Sequence, residues 1–198
     1  MIHRNAPHAA LAILLAAMLI PGGAVEASLL KNDKTADEQR TEIRKMRDQT
    51  LADLYKAQPS AKGHIQKAAG HAVFSNFGVK ILVAGGGSGS GIAINNRTRQ
   101  ETFMKMVEVQ AGLGFGVKNL RLVWVFEKQA DLDRFVNSGW ELGAQSTASA
   151  KLDDMGGTVF TGALSVSPGV WVYQLTGDGL ALELTAKGTR YYKDGDLN

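Results

Sequence analysis

The chain has no cysteine in its 198 residues, which excludes a disulfide framework, a thiolate metal site and a lipidated N-terminal cysteine. Any membrane contact must then be reversible and made by side chains. Charge of one sign is also scarce: Lys and Arg exceed Asp and Glu by only +3, too little for a nucleic-acid binder on composition. Past residue 27 no apolar run is long enough to span a bilayer. Histidine is nearly absent there too, with His64 and His71 the general-base candidates. They stand seven apart with no clustered carboxylates, which does not suit a metal.

The N-terminus reads as a secretory signal. Arg4 supplies a positive charge, Ala9 to Ile20 is uninterruptedly apolar, Pro21-Gly22-Gly23 breaks the helix, and Val25-Glu26-Ala27 offers a small-residue cleavage site. A retained anchor needs about 20 apolar residues, more than this run holds. The expected organisation is therefore a signal peptide over 1–27, an amphipathic helix over 28–58 and one domain over 59–198, with cleavage before Ser28 and delivery to the periplasm.

What the chain has in quantity is glycine, 23 residues of it. Ala84-Gly85-Gly86-Gly87-Ser88-Gly89-Ser90-Gly91-Ile92 and Gln110-Ala111-Gly112-Leu113-Gly114-Phe115-Gly116 place glycine at every second position. That spacing describes strands with one face shaved flat, where a backbone or an aromatic ring approaches closely. Neither run is a nucleotide loop. A phosphate-cradling loop starting at Gly85 would need Lys after its second glycine, and the dinucleotide fingerprint would need glycine at Ser90 and at Val117. Ser88 and Ser90 also lack the Gly-x-Ser-x-Gly frame of a nucleophile elbow. Asp131/Asp133 and Asp153/Asp154 read as a solvated helix face and a turn, and Asp194-Gly195-Asp196 is too short for a calcium loop.

Lys34 to Lys56 contains neither glycine nor proline and predicts a helix of about six turns. A second helix is expected over 61–69 and a third over 128–137, with Leu132, Phe135 and Val136 inward and Asp131, Asp133 and Arg134 outward. Strands are expected near 72–76, 79–84, 90–96, 103–110, 112–118, 120–126, 142–149, 158–165, 170–176, 179–186 and 189–193. Asn95-Asn96-Arg97 and Asp178-Gly179 predict hairpin turns, and 148–157 a loop. Helices gathered at the start of a strand meander predict an α+β fold. N-terminal helices would lie on a strongly bent, glycine-rich, mostly antiparallel sheet, barrel-like or two-layered.

The order of blocks resembles the SYLF domain. Ala69-Gly70-His71-Ala72-Val73-Phe74, the two glycine runs, Leu120 to Glu127, Gly139-Trp140-Glu141-Leu142-Gly143, Gly169 to Thr176 and Gly188-Thr189-Arg190-Tyr191-Tyr192 carry the resemblance, which spans about residues 59–198. It implies a non-enzymatic lipid-binding module without cofactors. Its partner would be an anionic phospholipid surface, with no nucleic acid or nucleotide. Phosphatidylglycerol or cardiolipin would be the natural headgroups. The alternative expectation is a structural module that receives a protein partner or self-assembles as a homo-oligomer in the cell envelope.

The first helix offers the candidate contact residues. Arg40, Arg44 and Arg47 form a row beside the apolar stripe containing Ile43, Met46 and Leu54. Basic residues at the edge of such a stripe can extend toward lipid phosphates while the stripe lies on acyl chains. The same pattern also describes a helix packed on a sheet, and Asp37, Glu38, Glu42, Asp48 and Asp53 dilute its positive field.

Overall fold

A computed structural model of the chain describes residues 34–81, 84–111, 116–142, 162–177, 179–181 and 188–198, with the side chains of 76–81, 84–86, 109–111, 116–119 and 181 left aside. The leader and its cleavage site, Gly112 to Phe115, residues 143–161 with the expected loop at 148–157, Asp178, and most of the strand expected over 179–186 lie outside the described residues.

Helix α1 (Ala36–Ala57) opens on a capping box. The Thr35 hydroxyl accepts from the Glu38 amide, and the Glu38 carboxylate accepts from the Thr35 amide, so two otherwise orphaned donors are satisfied. Pro59 separates α1 from α2 (Ser60–Lys67). The chain then enters four long strands: β1 (Gly70–Ile81), β2 (Ala84–Asn95), β3 (Glu101–Ala111) and β4 (Gly116–Phe126). The first three follow one another as neighbours, but β4 returns to pair with the other edge of β1 rather than with β3, so a Greek-key order replaces the expected meander. Helix α3 (Gln129–Ser138) follows, then β5 (Trp140–Leu142), β6 (Leu164–Ser167), β7 (Val170–Thr176), β8 (Gly179–Ala181) and β9 (Thr189–Lys193). The nine strands among the described residues form one antiparallel sheet ordered β5-β9-β3-β2-β1-β4-β7-β6, with β8 pairing the far half of β7. Residues 34–198 constitute one compact unit that includes α1. The α+β reading with N-terminal helices on a strongly bent, glycine-rich sheet describes this architecture.

Two pairs of expected strands prove to be single ones. The break expected after residue 76 does not exist, because Phe77 pairs with Ser88 and Gly78 with Gly87 in an unbroken ladder. Asn119 likewise continues β4 opposite Phe77. The glycine run at 85–91 is strand along its length rather than loop.

Period-2 alternation gives the sheet two apolar faces. On one, Val73, Ile92, Ile94, Phe103, Val123, Val125, Trp171 and Tyr173 are buried beneath α1 and α2. On the other, Ala72, Phe74, Met104, Met106, Leu122, Trp124, Phe126 and Tyr191 pack with Leu132 and Phe135 of α3. This second face is concave, as a distance shows. Trp124 in β4 and Tyr191 in β9 are four strand steps apart, about 19 Å along a flat sheet, yet their ring centroids are 4.9 Å apart. Only a strongly curled sheet brings them together.

Gly91 makes the curl possible. It lies opposite Phe74, and a Cβ there would overlap the Phe74 ring. That ring instead packs edge-on against Tyr191 at 4.9 Å. In α3, Leu132 and Phe135 point inward as expected and Val136 packs against the same cluster. The Asp131 side chain does not sit in solvent: it is 15% exposed and 3.7 Å from Arg134.

Candidate binding cleft

The row of arginines on α1 is tied to the protein's own polar groups. Arg40 Nε donates to the Leu197 carbonyl (2.8 Å) and its Nη1 to Asp37 (2.7 Å). Arg44 Nε donates to Glu101 Oε2 (2.8 Å) while its guanidinium lies 5.2 Å from the Phe103 ring centroid. Arg47 Nη1 donates to Glu101 Oε1 (2.9 Å) and its Nε to Asp48 (2.8 Å). Farther along, Asp53 accepts from Arg121 of β4.

The apolar stripe between these tethers is occupied as well. Ile43 packs with Ile92, Ile94, Phe103 and Leu197, and Leu54 is fully buried over β1, β4 and β7. Met46 is partly buried between the two clusters, and its sulfur accepts from the Thr50 hydroxyl. Physically the helix and the outer sheet face each expose an apolar surface that the other covers. The residues expected to meet lipid thus meet the sheet in this structure, and the helix is a packed layer of the fold.

One end of that layer does not close. Between α1, the end of α2 and the β2–β3 turn lies a cleft of about 440 Å³, lined by Arg47, Leu51, Tyr55, Ile65, Gln66, His71, Ile94, Asn96, Arg99 and Glu101. The turn is built by Asn95, whose side-chain oxygen accepts from the amides of Arg97 and Thr98. Its left-handed residue is Arg99 (φ 63°) rather than either asparagine. The Arg99 amide donates to the Asn95 carbonyl at 2.8 Å, which holds the residue in that region despite a cost of about 1–2 kcal/mol. Its guanidinium is exposed and makes no ion pair among the described residues.

His71 forms the inner wall. Asn96 Nδ2 donates to the carbonyls of Ile65 (2.7 Å) and Ala68 (2.9 Å), so Asn96 Oδ1 is the acceptor for His71 Nδ1, 2.9 Å away. His71 therefore carries its proton on Nδ1 and keeps a lone pair on Nε2. Burial, with Arg47 and Arg99 nearby, lowers its pKa to about 4, although the Asn96 hydrogen bond favours the charged form. The imidazole is neutral at pH 7. Burial raises the pKa of Tyr55, which keeps its hydroxyl proton there.

The cleft thus joins two guanidinium groups, one shared carboxylate, a neutral imidazole acceptor and a floor of Leu51, Ile65 and Ile94. Among the described residues no three His, Asp or Glu side chains group as metal ligands. Also among them, no helix is long and apolar enough to cross a membrane. His71 and the 95–97 turn were visible in the sequence. Their union with Arg99 and Glu101 was not, because residues 25 to 57 apart in the chain must meet.

No family model matches the chain. It is similar to the protein named beta cell expansion factor A of Aeromonas veronii, 34% identical over 172 residues. The match covers 87% of this chain and 64% of that protein's length.

Proposed function

We propose that this chain is an exported, non-enzymatic protein of the SYLF type that binds anionic phospholipid headgroups at a membrane surface, on the periplasmic side. The observation that carries the reading is the cleft, lined by Arg47 and by Arg99, which makes no ion pair among the described residues, at the open end of the helical layer. Arg44 and Arg47 share the Glu101 carboxylate and Arg47 also pairs with Asp48, so Arg99 adds a positive charge at the rim that no ion pair among the described residues offsets. The order of glycine-rich blocks supports the same family.

Arg99 replaces the three arginines of α1 as the residue of first interest, because it makes no ion pair among the described residues that its loss would break. Co-sedimentation of the mature protein with vesicles of rising phosphatidylglycerol content tests the function. Binding should increase with the anionic fraction and weaken as salt rises, since attraction is screened over a Debye length of about 8 Å at physiological ionic strength. Equal binding to neutral and anionic vesicles, or none to either, contradicts the reading.

A further inference from the structure

The cleft's chemistry specifies more than an anion. Its volume of about 440 Å³ falls within the 300–1,000 Å³ typical of small-molecule sites. Cations line part of the wall: Arg99 makes no ion pair among the described residues, and Arg47 is turned toward Glu101. Elsewhere the wall is an acceptor. His71 Nδ1–H is committed to Asn96, so the ring offers only the Nε2 lone pair. A phosphate has no hydroxyl to give that lone pair once it is esterified and ionised. A hydroxyl on a short carbon chain attached to the phosphate does, and Leu51, Ile65 and Ile94 provide an apolar floor for the carbons.

We propose that this cleft recognises a polyol phosphate, of which glycerol phosphate is the simplest form: Arg99 and Arg47 hold the phosphate while His71 Nε2 accepts from a glycerol hydroxyl. This rests on the headgroup reading above and names the class of headgroup. The same chemistry occurs free in solution and at the end of phosphatidylglycerol.

Titration calorimetry of the full mature chain with glycerol 1-phosphate and with methyl phosphate, alongside vesicle binding, separates the possibilities. Glycerol phosphate should bind at least tenfold more tightly than methyl phosphate, which has the charge but no hydroxyl. Arg99→Ala should weaken glycerol phosphate binding at least tenfold with an unchanged melting temperature, and should weaken phosphatidylglycerol vesicle binding in parallel. Soluble binding without vesicle binding supports the cleft and overturns the membrane reading. Vesicle binding unaffected by Arg99→Ala, with no soluble binding, overturns the cleft and leaves the membrane reading standing. Equal affinity for the two phosphates overturns the hydroxyl contact. If Arg99→Ala lowers the melting temperature, the comparison of the two phosphates on the wild-type protein still decides the proposal: a twofold or smaller preference overturns it.

Discussion

Replacing Gly91 with valine would drive a branched side chain into the ring of Phe74. Overpacking of this kind costs roughly 1–3 kcal/mol, and a chain of this size loses about 2–4 °C of melting temperature per kcal/mol. Thermal unfolding followed by circular dichroism should register that loss. Gly63 makes the contrasting case. It lies within α2 with nothing within 4 Å of where a Cβ would be, so Gly63→Ala should stabilise the protein by about 0.4–1 kcal/mol. If both substitutions shift the melting temperature in the same direction, the assignment of one glycine to close packing and the other to an open helix face is wrong. The alternating glycines announced close approach in the sequence, but only the register identifies Phe74 as the ring that approaches.

At the scale of elements, the tethers of α1 have a direct consequence. Reversing Arg40, Arg44 and Arg47 to glutamate would place new carboxylates against Glu101, so the triple variant should lose several degrees of melting temperature. A variant that keeps the wild-type melting temperature would mean that the Glu101 clasp contributes nothing. The connection from α2 into β1 carries a second consequence. His64 lies against Trp171 and Tyr173, its Nδ1 3.0 Å from the Tyr173 hydroxyl, and burial lowers its pKa to about 4. His71, facing Arg47 and Arg99, is lowered to about 4 as well. Both have folded-state values below the ordinary 6.5, so the unfolded chain binds more protons between those limits. Their contribution to stability is whole above about pH 6.5 and declines as pH falls toward 4. Urea midpoints measured from pH 7.5 to 4.5 should drop accordingly, and a His64→Phe variant should show a shallower decline. A midpoint that rises on acidification would reverse the sign and refute the buried neutral histidines.

The whole molecule shows which parts of this were readable in advance. Helix α1, the inward set of α3 and the antiparallel β1–β2–β3 run were legible, because each is a local periodicity of apolar residues. The return of β4 to the edge of β1 was not, because that pairing joins segments far apart in the chain. Strand continuity through Gly78 and Asn119 was not, since both residues favour turns locally and only the neighbouring strands keep them in the ladder. The arginine row was legible as a pattern, while its destination was not, because Glu101 stands 54 and 57 residues away from Arg47 and Arg44. Curvature belongs to the sheet as a whole: Trp124 meets Tyr191 only after five strands have paired in order. That curled sheet, covered by α1 and α2 on its outer face, leaves the rim between α1 and the β2–β3 turn open.

Hydrogen–deuterium exchange of the mature protein, with and without phosphatidylglycerol vesicles, tests most directly whether that rim meets the membrane. Amides of the turn at 96–100 and of α1 near Arg47 to Tyr55 should exchange more slowly on vesicles, while the rest of α1 stays as protected as in solution. Faster exchange along the whole of α1, with the turn unchanged, would mean that the helix lifts from the sheet to bind lipid through its apolar stripe, and would contradict the cleft as the site.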